Sequence, residues 1–280
     1  MTIKTFLLFC LITATTLRAQ TSIINVDDPR PLMRMLDELE QRFGISINYE
    51  DPLYQHSDDL VDVTDKVQNP RQRAMNPNVR IMIPRGGQAT LEVPVSSQLD
   101  SATIVNIITN MRLAHEARYP GKFTVHRREA GWYVEPTSVR GVSGSMAPQT
   151  PVSETSISLP EQQRNAAECL DAILQQAGKK VGVKIGIGMI PAAPFAASSV
   201  KCGANNEPLA VVLARLFSAV GGGQNGNGNM SYRLLYDATV RMYMLNLRTS
   251  VSTPAVQNVQ PPPGIAVPQQ SPAFVKQQQH

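Results

Sequence analysis

The sequence predicts an α+β fold made of two small duplicated modules, each with two helices packed on a small mixed sheet. Three patterns lead to this prediction: an amphipathic helix followed by an alternating strand, a later strand and helix, and a closing hairpin, each found twice along the chain. The chain has 280 residues, of which 42% are hydrophobic and 17% charged. This composition excludes a wholly disordered chain and a coiled coil.

The first module begins with a helix over residues 31–43. Gly44 follows at the position where a helix ends, and residues 45–49 alternate as a half-buried strand does. The helix is predicted because apolar residues recur at the spacing of one helix face. These residues are Leu32, Met35, Leu36, Leu39 and Phe43.

The second module repeats this pattern farther along the chain. Apolar spacing predicts a helix over 161–177 that ends at Gly178, and residues 181–185 then alternate. A shift of 134 positions carries Leu36 onto Leu170. An internal repeat of this kind predicts a duplicated architecture.

Each module is predicted to close with a strand, a helix and a hairpin. Residues 90–95 and 199–202 have the strand pattern, and the helix patterns that follow have identical apolar spacing. Residues 123–134 and 232–247 then have the pattern of hairpins.

Composition shifts divide the chain into five parts. Proline, glycine and serine mark a linker, and a tail rich in proline and glutamine is predicted to be disordered. The parts are a signal peptide at 1–19, a first module at 27–140 with an insertion at 55–87, a linker at 141–160, a second module at 161–249 and the tail at 250–280.

The N-terminal segment predicts export. Lys4 precedes a short apolar run that ends in small residues and Ala19, the three parts of a signal peptide, and we expect cleavage after Ala19. A buried N-terminal helix is the alternative. Removal of residues 1–19 lowers the formal net charge from +4 to +2, so we expect no nucleic-acid partner. No later apolar run reaches the roughly 18 residues of a membrane span, so the mature chain is expected to be periplasmic or secreted with no transmembrane segment.

The cysteine count adds a prediction about the second module. After the signal peptide, only Cys169 and Cys202 remain. An even pair in an exported protein predicts a disulfide, whereas two buried free thiols are the alternative.

The repeated unit resembles a known module. A helix that ends in glycine and leads into an alternating strand, as in residues 36–49, is similar to the start of the secretin and TonB short N-terminal domain, a small periplasmic α+β module. In that family a second strand, a helix and a closing hairpin follow. The resemblance implies an envelope protein that binds another protein or docks on a larger assembly.

Residues with catalytic or metal-binding chemistry are scattered. The histidines do not pair at the spacing of metal ligands, and Glu50 and Asp51 are expected to lie in a solvated loop. We therefore predict a noncatalytic interaction module with no cofactor and no metal. A secreted hydrolase whose residues converge from distant positions, and a structural assembly factor of an envelope secretion machine, are the alternatives.

An edge strand of the second module is the predicted partner-binding surface. Unpaired backbone groups at a sheet edge can accept a strand from another protein. The hairpin 232–247 offers Tyr236, Arg241 and Tyr243 for such a contact if they are exposed. The alternative is that both tyrosines cover the core.

Overall fold

The computed structural model describes residues 21–95, 99–221 and 229–250. The predicted signal peptide and all but the first residue of the predicted tail lie outside these residues. The described part is α+β, as predicted. Its helices are α1 (Pro31–Phe43), α2 (Thr64–Val67), α3 (Pro70–Met75), α4 (Ser101–Glu116), α5 (Ala166–Val181), α6 (Ala192–Ala197) and α7 (Leu209–Gly221).

Strands take up a similar share of the fold. They are β1 (Thr21–Asp28), β2 (Ile47–Glu50), β3 (Leu60–Asp62), β4 (Met82–Pro84), β5 (Gly87–Pro94), β6 (Lys122–Arg128), β7 (Gly131–Arg140), β8 (Met146–Pro148), β9 (Ser156–Asn165), β10 (Lys184–Ile187), β11 (Ser199–Pro208), β12 (Asn229–Asp237) and β13 (Met242–Ser250).

The helix α1 has the bounds that the sequence predicts. Pro31 occupies its first turn, where the missing N–H costs nothing, and Gly44 ends it in the left-handed region at φ 62°. Leu32, Leu36 and Leu39 are fully buried along the predicted face.

The helix α5 differs from its prediction at both ends. It starts at Ala166, where the Asn165 side chain accepts a hydrogen bond from the Ala167 N–H as an N-cap, and it continues through Gly178 to end at Gly182, φ 72°. The five residues before it belong to β9, a strand the sequence analysis missed. Gly178 therefore lies inside the helix, where a Cβ would meet the Val183 carbonyl oxygen at 2.9 Å, so this position favours glycine.

The two halves of the chain share one order of elements. In each, a first strand pairs antiparallel with the strand before the second long helix, as β1 does with β5 and β9 with β11. The strand after the first helix pairs parallel with the last strand, as β2 does with β7 and β10 with β13. The first strands, β1 and β9, were not predicted. A duplication is consistent with this order and stays a prediction.

The halves join through one mixed sheet of seven strands. Six of them lie in the order β10-β13-β12-β2-β7-β6, and β8 adds to β7. The side chains of β12 alternate between the two cores: Leu234 packs with α5 and α7, whereas Leu235 packs against the core of α1 and α4. The helices of the first half therefore cover one face of the sheet and those of the second half cover the other. Each helix pair is covered in turn by its own two-stranded ribbon, β1-β5 or β9-β11.

The segment predicted as a linker is part of the fold. It contains β8 and the start of β9, joined by a 3-10 turn at Val152–Glu154. Val152 is 4% exposed and Ile157 is fully buried. Apolar residues spaced among its prolines and serines give it a core contact that composition alone concealed. In the insertion, β3 and β4 form a short antiparallel pair.

The disulfide of the second half joins Cys169 on α5 to Cys202 on β11, with Cα atoms 5.7 Å apart. Cross-linking residues that are 33 positions apart stabilises the fold by about 3 to 4 kcal/mol in the loop-entropy model. Met35, at the corresponding position of α1, is a fully buried apolar side chain without a crosslink. None of the helices in the described residues is long and apolar enough to cross a membrane.

Candidate functional site

The junction of the two halves is the parallel pairing of β12 with β2. Arg233 lies opposite Tyr49 and Leu234 opposite Glu50, and the Asp51 N–H donates to the Leu234 carbonyl at 2.8 Å. The strand β2 would otherwise end the sheet of the first half. At the junction this edge has accepted a strand from the second half.

Buried charges hold the junction together. The Arg233 guanidinium donates to Asp37 at 2.8 and 3.0 Å and to Glu40 at 2.9 Å, and all three side chains are 5% exposed or less. Arg248 on β13 also reaches Asp37, at 2.9 Å. Removing one member would leave the others charged and buried, so this cluster has a structural role.

A second buried cluster surrounds Asp51. Its carboxylate accepts from the Arg30 Nε at 2.6 Å, the Tyr49 hydroxyl at 2.9 Å and the Tyr236 N–H at 3.0 Å. The Tyr243 hydroxyl donates to its carbonyl at 3.1 Å. Burial raises the pKa of Asp51, and Arg30 opposes this effect. Glu50 and Asp51 are both 0% exposed, so the expectation of a solvated loop was wrong.

The predicted partner-binding residues do not form an exposed edge. Tyr236 and Tyr243 are 5% and 1% exposed. Their ring centroids lie 5.1 Å apart in the core of the second half. Only Arg241, in the turn before β13, is exposed. Neither strand of the hairpin is an edge, because β12 pairs with β2 and β13 pairs with β10. The stated alternative, that both tyrosines cover the core, is the one the structure bears out, and a sequence does not reveal which edge another module covers.

A third polar cluster links the first half to the 3-10 turn. The Glu50 carboxylate accepts from the N–H groups of Val152 at 2.7 Å and Ser153 at 3.1 Å. The Ser153 hydroxyl donates to Glu135 at 2.5 Å. Burial, with a contribution from the charge of Glu135, raises the pKa of Glu50 to about 8.

The same cluster extends to His126 and to Glu154. The His126 Nε2 lies 3.1 Å from a Glu135 oxygen, and burial lowers the pKa of His126. Ligand atoms of His126, Glu135 and Glu154 all lie within 4.8 Å of one another, and these atom types bind divalent metals. The Arg128 guanidinium, however, contacts both carboxylates and supplies positive charge there.

This cluster lacks the geometry of a nucleophilic site. Ser153 is 1% exposed, and its hydroxyl donates to the buried Glu135 carboxylate and not to an imidazole. Glu135 lies between Ser153 and His126, so the imidazole does not reach the hydroxyl. The cluster instead fixes the 3-10 turn on the central sheet.

A cleft lies between the halves beside this cluster. It has a volume of about 450 Å³ and runs between the β6-β7 turn and α7. Tyr133 lines it; its ring stacks with the His126 ring at a centroid distance of 5.8 Å, and the Arg128 guanidinium lies 4.4 Å from its centre. Val211, which is 46% exposed, and Ala214 line the opposite wall.

The strand β6 ends the central sheet beside this cleft. A two-residue turn joins it to β7, so the pairs from Arg128–Gly131 onward alternate between hydrogen-bonded and non-hydrogen-bonded. The non-hydrogen-bonded pairs are those of Phe123, Val125 and Arg127. The N–H and C=O groups of these three residues consequently point away from β7. In the described part of the chain, no strand pairs with this side of β6.

Helix α4 covers one end of this edge. The Phe123 N–H donates to Glu116 at 2.7 Å, and its carbonyl accepts from Arg112 at 3.3 Å. The groups of Val125 and Arg127 have no such partner within the described ranges. At the other end of the sheet, β10 is a second edge, four residues long.

Sequence reasoning missed this edge and the buried acids. The alternating pattern of β6 was visible in the sequence, but whether β6 lies at the edge of the sheet depends on which strand joins the two halves. A weak signal was present in β6 itself, whose residues include Lys122, His126, Arg127 and Arg128 but no acid. Basic side chains are a common protection of exposed edges.

The described fold therefore defines an α+β protein with two similarly ordered halves on one mixed sheet. Comparisons with protein-family models, with curated proteins and with solved structures find no match.

Proposed function

We propose that this chain is an exported, noncatalytic protein-interaction module of the bacterial cell envelope that accepts partner segments at its open sheet ends. One observation carries the proposal: β2 already accepts β12 at one edge, whereas the outward backbone groups of Val125 and Arg127 on β6 have no partner among the described residues. Addition of a strand to such an edge is a common mode of peptide recognition.

Two further features support the proposal. The basic and apolar N-terminal segment and the disulfide both suit an exported protein. Ser153 is 1% exposed, so its hydroxyl is closed to a substrate, which favours a binding role over the hydrolase alternative.

Site-specific photo-crosslinking in the exporting cell tests this function. A photoreactive residue at position 124 on β6 or at position 187 on β10 should give a covalent adduct with another envelope protein. The same residue in place of exposed Arg71 on α3 is the control and should give none. If neither edge position gives an adduct, the proposed function is wrong.

A further inference from the structure

We propose that the β6 edge binds an extended, acidic segment of a partner protein, with an acidic residue of that segment beside Arg127. This inference rests on the proposed function and names the class of partner. It is argued from the open backbone groups, the local charge and the precedent of the junction.

The open part of the edge is short and defined. Glu116 and Arg112 already satisfy Phe123, which leaves the outward groups of Val125 and Arg127 for a partner strand. Their side chains point to the same face of the sheet, because residues two apart in a strand do so. A matching segment therefore has an apolar residue and an acidic residue two positions apart.

The charge of the edge is positive. Arg127 is exposed; its guanidinium donates to the Ser101 hydroxyl at 2.6 Å and lies 5.7 Å from the centre of the Trp132 ring. Within the described residues it has no carboxylate partner, in contrast to Arg128. A partner carboxylate would supply the missing charge next to a fixed guanidinium.

The junction provides the precedent within the same chain. There an added strand is held by backbone hydrogen bonds together with a pairing of opposite charges, Arg233 with Asp37 and Glu40. The β6 edge also offers open backbone groups and a charged side chain, but here the basic residue, Arg127, lies on the strand that would accept the partner.

Other occupants from this chain fit less well. Residues 251–280 contain Lys276 and no acid, so they do not complement the edge. The open strand β10 of a second copy carries Lys184 and no acid, so like charges would meet. An acidic segment of a different protein is the occupant that the charge favours.

The test measures amide hydrogen exchange by NMR on the full-length chain purified after export. The probe is a synthetic peptide in which threonine alternates with valine and glutamate, so that valine and glutamate share one face. We expect the Val125 and Arg127 amides to become protected, while the Phe123 amide, already bonded to Glu116, changes little. A matched peptide with lysine in place of glutamate should bind at least about tenfold more weakly.

Charge reversal and proline substitution sharpen the test. Arg127→Glu should lower the affinity for the glutamate peptide by about tenfold and raise the affinity for the lysine peptide. Arg71→Glu, the same charge change on α3, should alter neither affinity. The Val125 N–H points outward and makes no hydrogen bond to β7. Val125→Pro removes this N–H and should therefore abolish peptide binding. If this variant fails to fold, Arg127→Glu decides.

Equal binding of both peptides, or binding unchanged by Arg127→Glu, would overturn the inference. Protection of these amides by a single-stranded oligonucleotide and not by the glutamate peptide would also overturn it. In either case, adducts from the edge positions in the crosslinking experiment would leave the broader function standing, so the two failures are distinguishable.

Discussion

The inner edge at β2 and the outer edge at β6 differ in what covers them. Both strands border the three-stranded part of the sheet that belongs to the first half. At β2 the partner strand is covalently part of the chain and is fixed by Arg233 on the acids of α1. At β6 the cover that the described residues provide consists of the Arg112 and Glu116 side chains at one end.

At the closed edge, buried side-chain charges accompany the backbone pairing. Asp37 and Glu40 lie on α1 beneath the junction. The shift of 134 positions that relates the helices places Asp171 and Leu174 at the corresponding positions of α5. Asp171 is exposed and Leu174 is fully buried, so α5 lacks the buried acid pair. A strand added at β10 would therefore be held by backbone hydrogen bonds without a buried acid pair on α5.

Removal of the junction arginine should have the largest effect on stability. Arg233→Ala leaves Asp37 and Glu40 buried without their main cation, and we expect the free energy of unfolding to fall by about 3 to 5 kcal/mol. Urea unfolding followed by circular dichroism measures this change.

The matched control is Arg248→Ala. This arginine contacts the same Asp37 but is 38% exposed, so its removal should cost less than about 1 kcal/mol. Equal losses in the two variants would show that the burial of Arg233 adds nothing to the stability of the junction.

The pH dependence of stability should reveal the acid beside the junction. Glu50 has a folded pKa of about 8 against an unfolded value of 4.5, so between these values the folded state holds more protons and stability falls as pH rises. His115, whose pKa burial lowers to about 4 from 6.5, acts in the opposite direction below pH 6.5.

His126, whose pKa burial also lowers, acts in the same direction as His115, and from about pH 7 to 8 both histidines are mostly neutral in the folded and unfolded states, so Glu50 dominates this window. One proton changes the free energy of unfolding by at most about 1.4 kcal/mol per pH unit there. Urea midpoints measured across this window should decline, and Glu50→Gln should flatten the slope. A rising slope in the unmodified chain would contradict the assignment.

Loss of the edge cover should have a smaller effect. Glu116→Ala removes the acceptor of the Phe123 N–H, and we expect a cost of about 1 to 2 kcal/mol together with faster exchange of that amide. Exchange of the inward-bonded His126 amide is the internal control. Unchanged protection at Phe123 would show that another group covers this end of β6.

Sequence patterns were informative where local rules act and failed where the two halves meet. The apolar spacing of α1 and the glycine at its end are local, and the bounds of α1 were predicted from them. The predicted disulfide between Cys169 and Cys202 is present in the structure. By contrast, Glu50 and Asp51 are buried only because β12 and residues 152–153 pack on them, which no local pattern records.

The exposure of the two hairpin tyrosines could not be predicted from the sequence for a related reason. Alternation predicted a strand pair correctly, but the same alternation fits an edge or an inner strand. The partner of β12 is a strand more than 180 residues earlier in the sequence, as the hydrogen bond from the Tyr232 N–H to Asn48 illustrates. An edge can be assigned only when all long-range pairings are known.

The smallest effect is expected at Arg241, in the turn between the two strands of this hairpin. It has φ 52°, in the left-handed region that favours glycine. Arg241→Gly should raise the free energy of unfolding by about 0.5 to 1 kcal/mol through relief of this strain, whereas Arg241→Ala, which keeps a Cβ, should stay within about 0.5 kcal/mol of the parent. Urea unfolding of the two variants separates the backbone effect from loss of the charge.

Neither variant should alter peptide binding at β6, because Arg241 lies in a turn whose strands are both paired on each side. If either one weakens capture of the glutamate peptide, partner binding extends to the junction hairpin, and the distinction between a closed inner edge and an open outer edge does not hold.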